Sequence, residues 1–144
     1  MTSTADKAAF LKKVPLFKGL TTKQLNAIAE RMVERTYKAG DVVIQQGKGG
    51  EGFFIVSAGK LEAILEHRDG ETSVVNTFTP TDFFGELALL SEGTRTASIV
   101  AINDSTCQVL TRWDFRAILA NDAEMAISIL EELSSRFRQV LSTI

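Results

Sequence analysis

From Thr36 to Thr111 the chain is written in short runs rich in Val, Ile, Phe and Thr, separated by Gly47 to Gly52, Ala58-Gly59, Arg68-Asp69-Gly70 and Thr79-Pro80. Runs of that length are too short for helices and suit pleated strands joined by tight turns. Many short strands with no helical periodicity between them call for an antiparallel sandwich or barrel, and the spacing favours a jelly roll. Helical spacing brackets this region. Asp6 to Lys13 and Thr22 to Glu34 read as helices, parted by Pro15 and Gly19. Leu25, Ile28, Ala29 and Met32 form the apolar stripe of the second, and Thr21 or Thr22 is its N-cap. After Thr111, the pairs Thr111/Asp114 and Asn121/Glu124 stand three apart, as capping pairs do at two further helix starts. The expected fold is mostly β: an antiparallel jelly-roll β-barrel flanked by N-terminal helices and two C-terminal helices.

A chain of 144 residues, 44% hydrophobic and 24% charged, is expected to make one domain around a single core. Its parts are residues 1–35, a helical lead; 36–111, the barrel; and 112–144, the C-terminal helices. No apolar run is long enough to cross a bilayer, and Met1 to Asp6 lacks the layout of a secretory leader, so the expected address is cytoplasmic with no membrane partner. The lone Cys107 has no cysteine to pair with inside the chain, and its neighbours Gln108, Val109 and Leu110 mark it as a strand residue of the core. Charge divides the chain: residues 1–40 hold eight basic and three acidic side chains, and residues 41–110 hold four basic and ten acidic. An anionic ligand of this acidic middle must therefore be held by local donors. The N-terminal lysines are spread along an amphipathic pattern and read as a solvated face, so no direct nucleic-acid binding is expected.

One segment concentrates such donors. Residues 84–101 read Phe-Gly-Glu-Leu-Ala-Leu-Leu-Ser-Glu-Gly-Thr-Arg-Thr-Ala-Ser-Ile-Val-Ala. Gly85 lets the backbone approach a ligand closely. Glu86 to Leu90 is one or two turns of good helix formers, whose first N–H groups, at Leu87 and Ala88, suit a phosphate. Ionised Glu86 only accepts hydrogen bonds, so beside an anion its use is to take a ligand hydroxyl. Arg95 supplies a planar fork for two phosphate oxygens, and Thr96 and Ala97 line the phosphate side.

These residues resemble the phosphate-binding cassette of the cyclic nucleotide-binding domain family, found in cyclic-nucleotide-dependent kinases, gated channels and catabolite-activator-type transcription factors. Phe84-Gly85-Glu86-Leu87-Ala88-Leu89 and Arg95-Thr96-Ala97-Ser98-Ile99 match its pattern without a gap, with Thr94 where the family often has proline. Val14-Pro15-Leu16-Phe17, the run Ala39 to Gly47, Phe53-Phe54-Ile55-Val56 with Gly59, and Trp113-Asp114-Phe115 extend the resemblance over nearly the whole chain.

The resemblance implies a non-catalytic sensor for cyclic AMP or cyclic GMP, with cyclic AMP favoured and no other cofactor. It makes Gly85, Glu86, Leu87, Ala88, Arg95, Thr96 and Ala97 the ligand set, with Ala63, Val75 and Phe84 beneath the base. Arg136 and Arg138 are either the cation over the base or ordinary exposed arginines. Thr96 is either a reader of guanine, as threonine is in cyclic-GMP-responsive members, or a second hydroxyl for the phosphate. The final helix carries Ala126, Leu130, Leu133, Phe137, Val140 and Ile144 at spacings of four and three. That seam is expected to pair two chains or engage a protein effector and so relay occupancy, while Met125 and Ile129 pack inward.

Three other readings compete with this one. A metal-dependent jelly-roll enzyme needs two or three histidines, and the chain has one, His67, at a hairpin tip. A cassette whose Glu86 and Arg95 only pair with each other would leave an interaction module without a ligand. A regulatory fragment of a transcription factor, kinase or channel would keep the sensor and lack the effector.

Overall fold

The computed structural model describes residues 3–47, 52–85 and 97–142. Eight strands are described: β1 (Val33–Tyr37), β2 (Val42–Ile44), β3 (Gly52–Ala58), β4 (Leu61–Glu66), β5 (Thr72–Phe78), β6 (Phe83–Phe84), β7 (Ser98–Ala101) and β8 (Ser105–Thr111). They form two four-stranded sheets, ordered β1-β8-β3-β6 and β2-β7-β4-β5, and every pairing is antiparallel. The chain crosses from one sheet to the other between successive described strands everywhere but at β4, whose hairpin to β5 stays within the second sheet, and this is the alternation of a jelly roll. The expected fold class is the observed one.

The side chains between the sheets explain why these runs become strands. Val56, Phe84, Cys107 and Val109 from the first sheet and Ile44, Leu61, Ala63, Phe78, Ile99 and Ala101 from the second form one buried cluster. β3 is buried on both faces: Phe53 and Ile55 are as inaccessible as Val56, so Phe-Phe-Ile-Val reads as a continuous apolar run. By contrast β5, an edge strand, is exposed along its length except at Phe78, and its sequence is correspondingly mixed. Gln108 is fully buried between β1 and β3, donating to Glu34 Oε1 at 3.0 Å and Ser57 Oγ at 3.3 Å. At the β3–β4 turn, Gly59 has a φ of +89°, and a Cβ there would lie 2.6 Å from the Asp104 carbonyl oxygen. No L side chain fits that position without displacing backbone.

Residues 1–31 and 114–144 form a second unit. Its helices are α1 (Thr4–Leu11), α2 (Thr22–Arg31), α3 (Arg112–Ala120), whose first two residues fall in the β unit, and α4 (Ala123–Ser142), with a 3-10 turn at Pro15–Phe17. Thr21 and Gln24 make a reciprocal capping box at α2: Gln24 N–H donates to Thr21 Oγ1 at 3.2 Å and Thr21 N–H to Gln24 Oε1 at 2.9 Å. The Gln24 amide also donates to Asp122 Oδ2 at 3.1 Å, which ties the start of α2 to the start of α4. The ion pair Arg31–Asp114 at 2.9 Å joins the end of α2 to α3, and Lys18–Glu132 at 3.4 Å joins the residue capping the 3-10 turn to α4.

Three expectations shift. The first helix spans Thr4–Leu11 rather than Asp6 to Lys13, because Ser3 Oγ accepts the Asp6 N–H at 3.0 Å and starts it earlier. The second stops at Arg31 rather than Glu34. Val33 and Glu34 instead pair with Val109 and Gln108 of β8, and that ladder outweighs a helical spacing that runs on through Met32. The cap of α4 is Asp122 rather than Asn121: its Oδ1 accepts the Met125 N–H at 3.0 Å, whereas Asn121 donates back to the Ala117 carbonyl. Among the described residues, no helix is long and apolar enough to cross a membrane.

Candidate functional site

The cassette sequence occupies the crossover between the two sheets. β6 ends at Phe84 in the first sheet, and β7 begins at Ser98 in the second, between β2 and β4. Glu86, Leu87, Ala88, Arg95 and Thr96 lie outside the described residues. Gly85 and Ala97 are the described ends of the segment.

Its upstream end is fixed by aromatic packing. Phe84 pairs with Phe54 across the β6–β3 ladder, the two rings stack 5.0 Å apart and 8° from parallel, and the Phe78 ring lies 5.1 Å away. Immediately after this anchor Gly85 adopts a φ of +87°, a conformation open to glycine at little cost and costly to residues with a Cβ. The approach to β6 is also held tightly. Asp82 N–H donates to the Thr79 carbonyl at 2.9 Å, the Asp82 carboxylate accepts from Thr79 N–H at 2.9 Å, and Val56 bonds both Thr81 and Asp82 through its backbone. With Pro80 second and Thr81 third at a φ of +78°, this is the pattern of a type II turn, in which glycine is the residue that fits third.

At the downstream end a residue that the sequence reading passed over does the fastening. Gln46 N–H donates to Ser98 Oγ at 2.9 Å, and the Gln46 side chain closes a two-way bridge to the Glu66 backbone, donating to its carbonyl at 3.1 Å and accepting from its N–H at 2.8 Å. The end of β2, the end of β4 and the start of β7 are thereby joined through one residue, by its backbone N–H on one side and its side-chain amide on the other. No local signal marks it, since both partners are distant in sequence.

The base-lining candidates sit at different depths. Ala63 faces Asn76 on one side and Ile99 on the other and is 5% exposed. Phe84 is likewise buried. Val75 is 53% exposed and falls where the β4–β5 register slips, with Ala63 opposite Asn76 and Ile64 opposite Val74. Such a bulge locally re-aims side chains and is frequent beside binding sites. Arg136 and Arg138 lie on α4 and are exposed.

The groups that might suggest chemistry of another kind are placed as follows. His67 is exposed at the β4–β5 hairpin, its Nε2 2.8 Å from Ser73 Oγ. Burial pushes the Cys107 thiol up to about 12, so it stays protonated within the core and is a poor nucleophile.

Comparison with known proteins agrees with this architecture. Residues 34–122 match the family model described as the cyclic nucleotide-binding domain. The chain is 33% identical over 136 residues to a cGMP-dependent protein kinase of Drosophila melanogaster, isozyme 2 forms cD5/T2, covering 92% of this chain and 14% of the kinase. It is 30% identical over 129 residues to the cyclic AMP receptor protein of Thermus thermophilus, covering 90% of this chain and 60% of that protein. The chain thus spans only part of the length of these relatives. Among solved structures, the N-terminal domain of a transcriptional regulator from Streptomyces coelicolor A3(2) superposes with a TM-score of 0.83 at 27% identity, covering 93% of this chain and 94% of that one.

Proposed function

Because the chain belongs to the cyclic nucleotide-binding domain family, we propose that it is a non-catalytic sensor that binds cyclic AMP, or alternatively cyclic GMP, through residues 84–101. The observation that carries this reading is the position of the cassette sequence: it falls at the β6–β7 crossover of a jelly roll, within the family match over residues 34–122. In this reading the backbone N–H groups of Leu87 and Ala88, with Arg95, hold the cyclic phosphate, and Glu86 accepts the ribose hydroxyl. Gly85 admits the ligand to the backbone, and Thr96 and Ala97 close the phosphate side. The base rests over Ala63, Val75 and Phe84, Val75 offering the most accessible surface of the three. Arg136 is the candidate cation over the base.

Occupancy is then transmitted through α4 to a second copy of the chain or to a protein effector in the cytoplasm. A ligand drives such a change only by binding one state of the helix more tightly than the other. The relatives' names supply both nucleotides, cyclic GMP for the kinase and cyclic AMP for the receptor protein, and the choice between them is left to Thr96. Calorimetric titration with each nucleotide tests the proposal. Saturable binding of one or both is expected, and absence of heat and of competition with either would leave an interaction module in its place.

A further inference from the structure

Strand β7 sits between β2 and β4, and its ladders stop at its first residues: Ile44 pairs with Ile99 on one side, and Ile64 with Ser98 on the other. Beyond that point β4 runs on to Glu66. Along an antiparallel strand the N–H and C=O of every second residue turn to the same side. The Lys60 carbonyl, just ahead of β4, accepts the Ile102 N–H at 2.9 Å, so the even-numbered residues face β7, and Glu66 is one of them. Counted on in the Ile64–Ser98 register, the partner of Glu66 would be residue 96 of a longer β7. The Gln46 side chain takes that place. Its amide donates to the Glu66 carbonyl at 3.1 Å and accepts from the Glu66 N–H at 2.8 Å, which are the two bonds a strand residue would make. Its backbone N–H donates to Ser98 Oγ at 2.9 Å and fastens the first residue of β7 to the same strap. A carboxamide suits the task because, like a peptide group, it offers one donor and one acceptor side by side.

We propose that Gln46 is a positioning residue for the nucleotide. By completing the β4 ladder with a side chain it ends β7 at Ser98, and by holding Ser98 it fixes the point from which Arg95 and Thr96 are presented to the phosphate. This rests on the sensor reading proposed above and adds to it a residue that acts through Ser98 rather than on the ligand.

Calorimetric titration with cyclic AMP and cyclic GMP, beside urea denaturation of each protein, tests the proposal. Gln46→Leu keeps the bulk of the side chain and removes both bonds to Glu66; it should weaken nucleotide binding on the order of tenfold. Ser98→Thr and Ser98→Val are matched in shape and both suit a strand, but only threonine keeps the hydroxyl. The threonine variant should bind about three- to tenfold more tightly than the valine variant. Because Gln46 and Ser98 act on one point, the double variant Gln46→Leu/Ser98→Val should lose less than the product of the two single losses. A purely structural role would lower the urea midpoint and leave the affinity of the folded protein unchanged, and that result for Gln46→Leu overturns the proposal. Equal affinities for Ser98→Thr and Ser98→Val overturn it too, and decide the matter should Gln46→Leu fail to fold. Absence of binding by the parent chain would instead bring down the sensor reading itself, so the two failures are told apart.

Discussion

The Phe84 ring lies stacked on the Phe54 ring, centroids 5.0 Å apart, so the residue just ahead of Gly85 is locked to the central strand β3 of the first sheet. The entrance to the cassette is therefore set by the core. Replacing Phe84 with alanine empties a buried ring site shared with Phe54 and Phe78, and should cost about 3–5 kcal/mol in urea denaturation. A loss below about 1 kcal/mol would mean that the anchor is not where the packing puts it.

Thr81 carries the opposite kind of signal. It is β-branched at a φ of +78°, held by the Thr79–Asp82 turn and by its bond to the Val56 carbonyl. Strain of this kind is retained only where surrounding structure fixes it. Thr81→Gly should stabilise the fold by about 1 kcal/mol, since the relief of strain exceeds the added freedom of the unfolded chain. Thr81→Ala keeps a Cβ and should gain less; equal or lower stability for the glycine variant would contradict this account.

How much of this could be read from the sequence depended on whether the responsible residues are neighbours in the chain. The strand region was legible because turn residues punctuate it at short intervals, and the family because its motif is continuous from Phe84 to Ala101. The end of α2 was not, because Val33 and Glu34 continue a plausible helix until β8, some seventy residues later, offers them a ladder. Gln46 was invisible for the same reason: Glu66 and Ser98 give it its meaning. The cap of α4 was misplaced by one residue because Asn121 and Asp122 are both good caps, and only the partner Gln24 distinguishes them.

Asp122 makes stability depend on pH in a definite direction. The Met125 N–H bond, followed by the Gln24 amide, lowers its carboxyl below the usual aspartate range. A group with a depressed folded pKa contributes its stability above the unfolded value, and the contribution disappears as pH falls through the folded one. Asp122→Ala should therefore lower Tm at pH 7 and lower it progressively less as the solution is acidified below pH about 4. A Tm difference that is constant across this range would exclude the charged cap.

Thr96 is the residue on which the choice of nucleotide turns. If its hydroxyl reads guanine, Thr96→Ala should weaken cyclic GMP binding more than cyclic AMP binding, by about tenfold for one hydrogen bond left unmade. Equal losses for the two nucleotides would assign the hydroxyl to the phosphate instead.

The central claim is that residues 84–101 hold a cyclic phosphate against Arg95. It is tested most directly by calorimetric titration of the parent chain and of Arg95→Ala with both nucleotides. The account predicts saturable binding to the parent chain. It predicts a loss in Arg95→Ala of about 2–5 kcal/mol, on the order of thirty- to several thousand-fold in affinity, because the phosphate is left desolvated without its counter-charge. Unchanged affinity in a folded Arg95→Ala protein would contradict it.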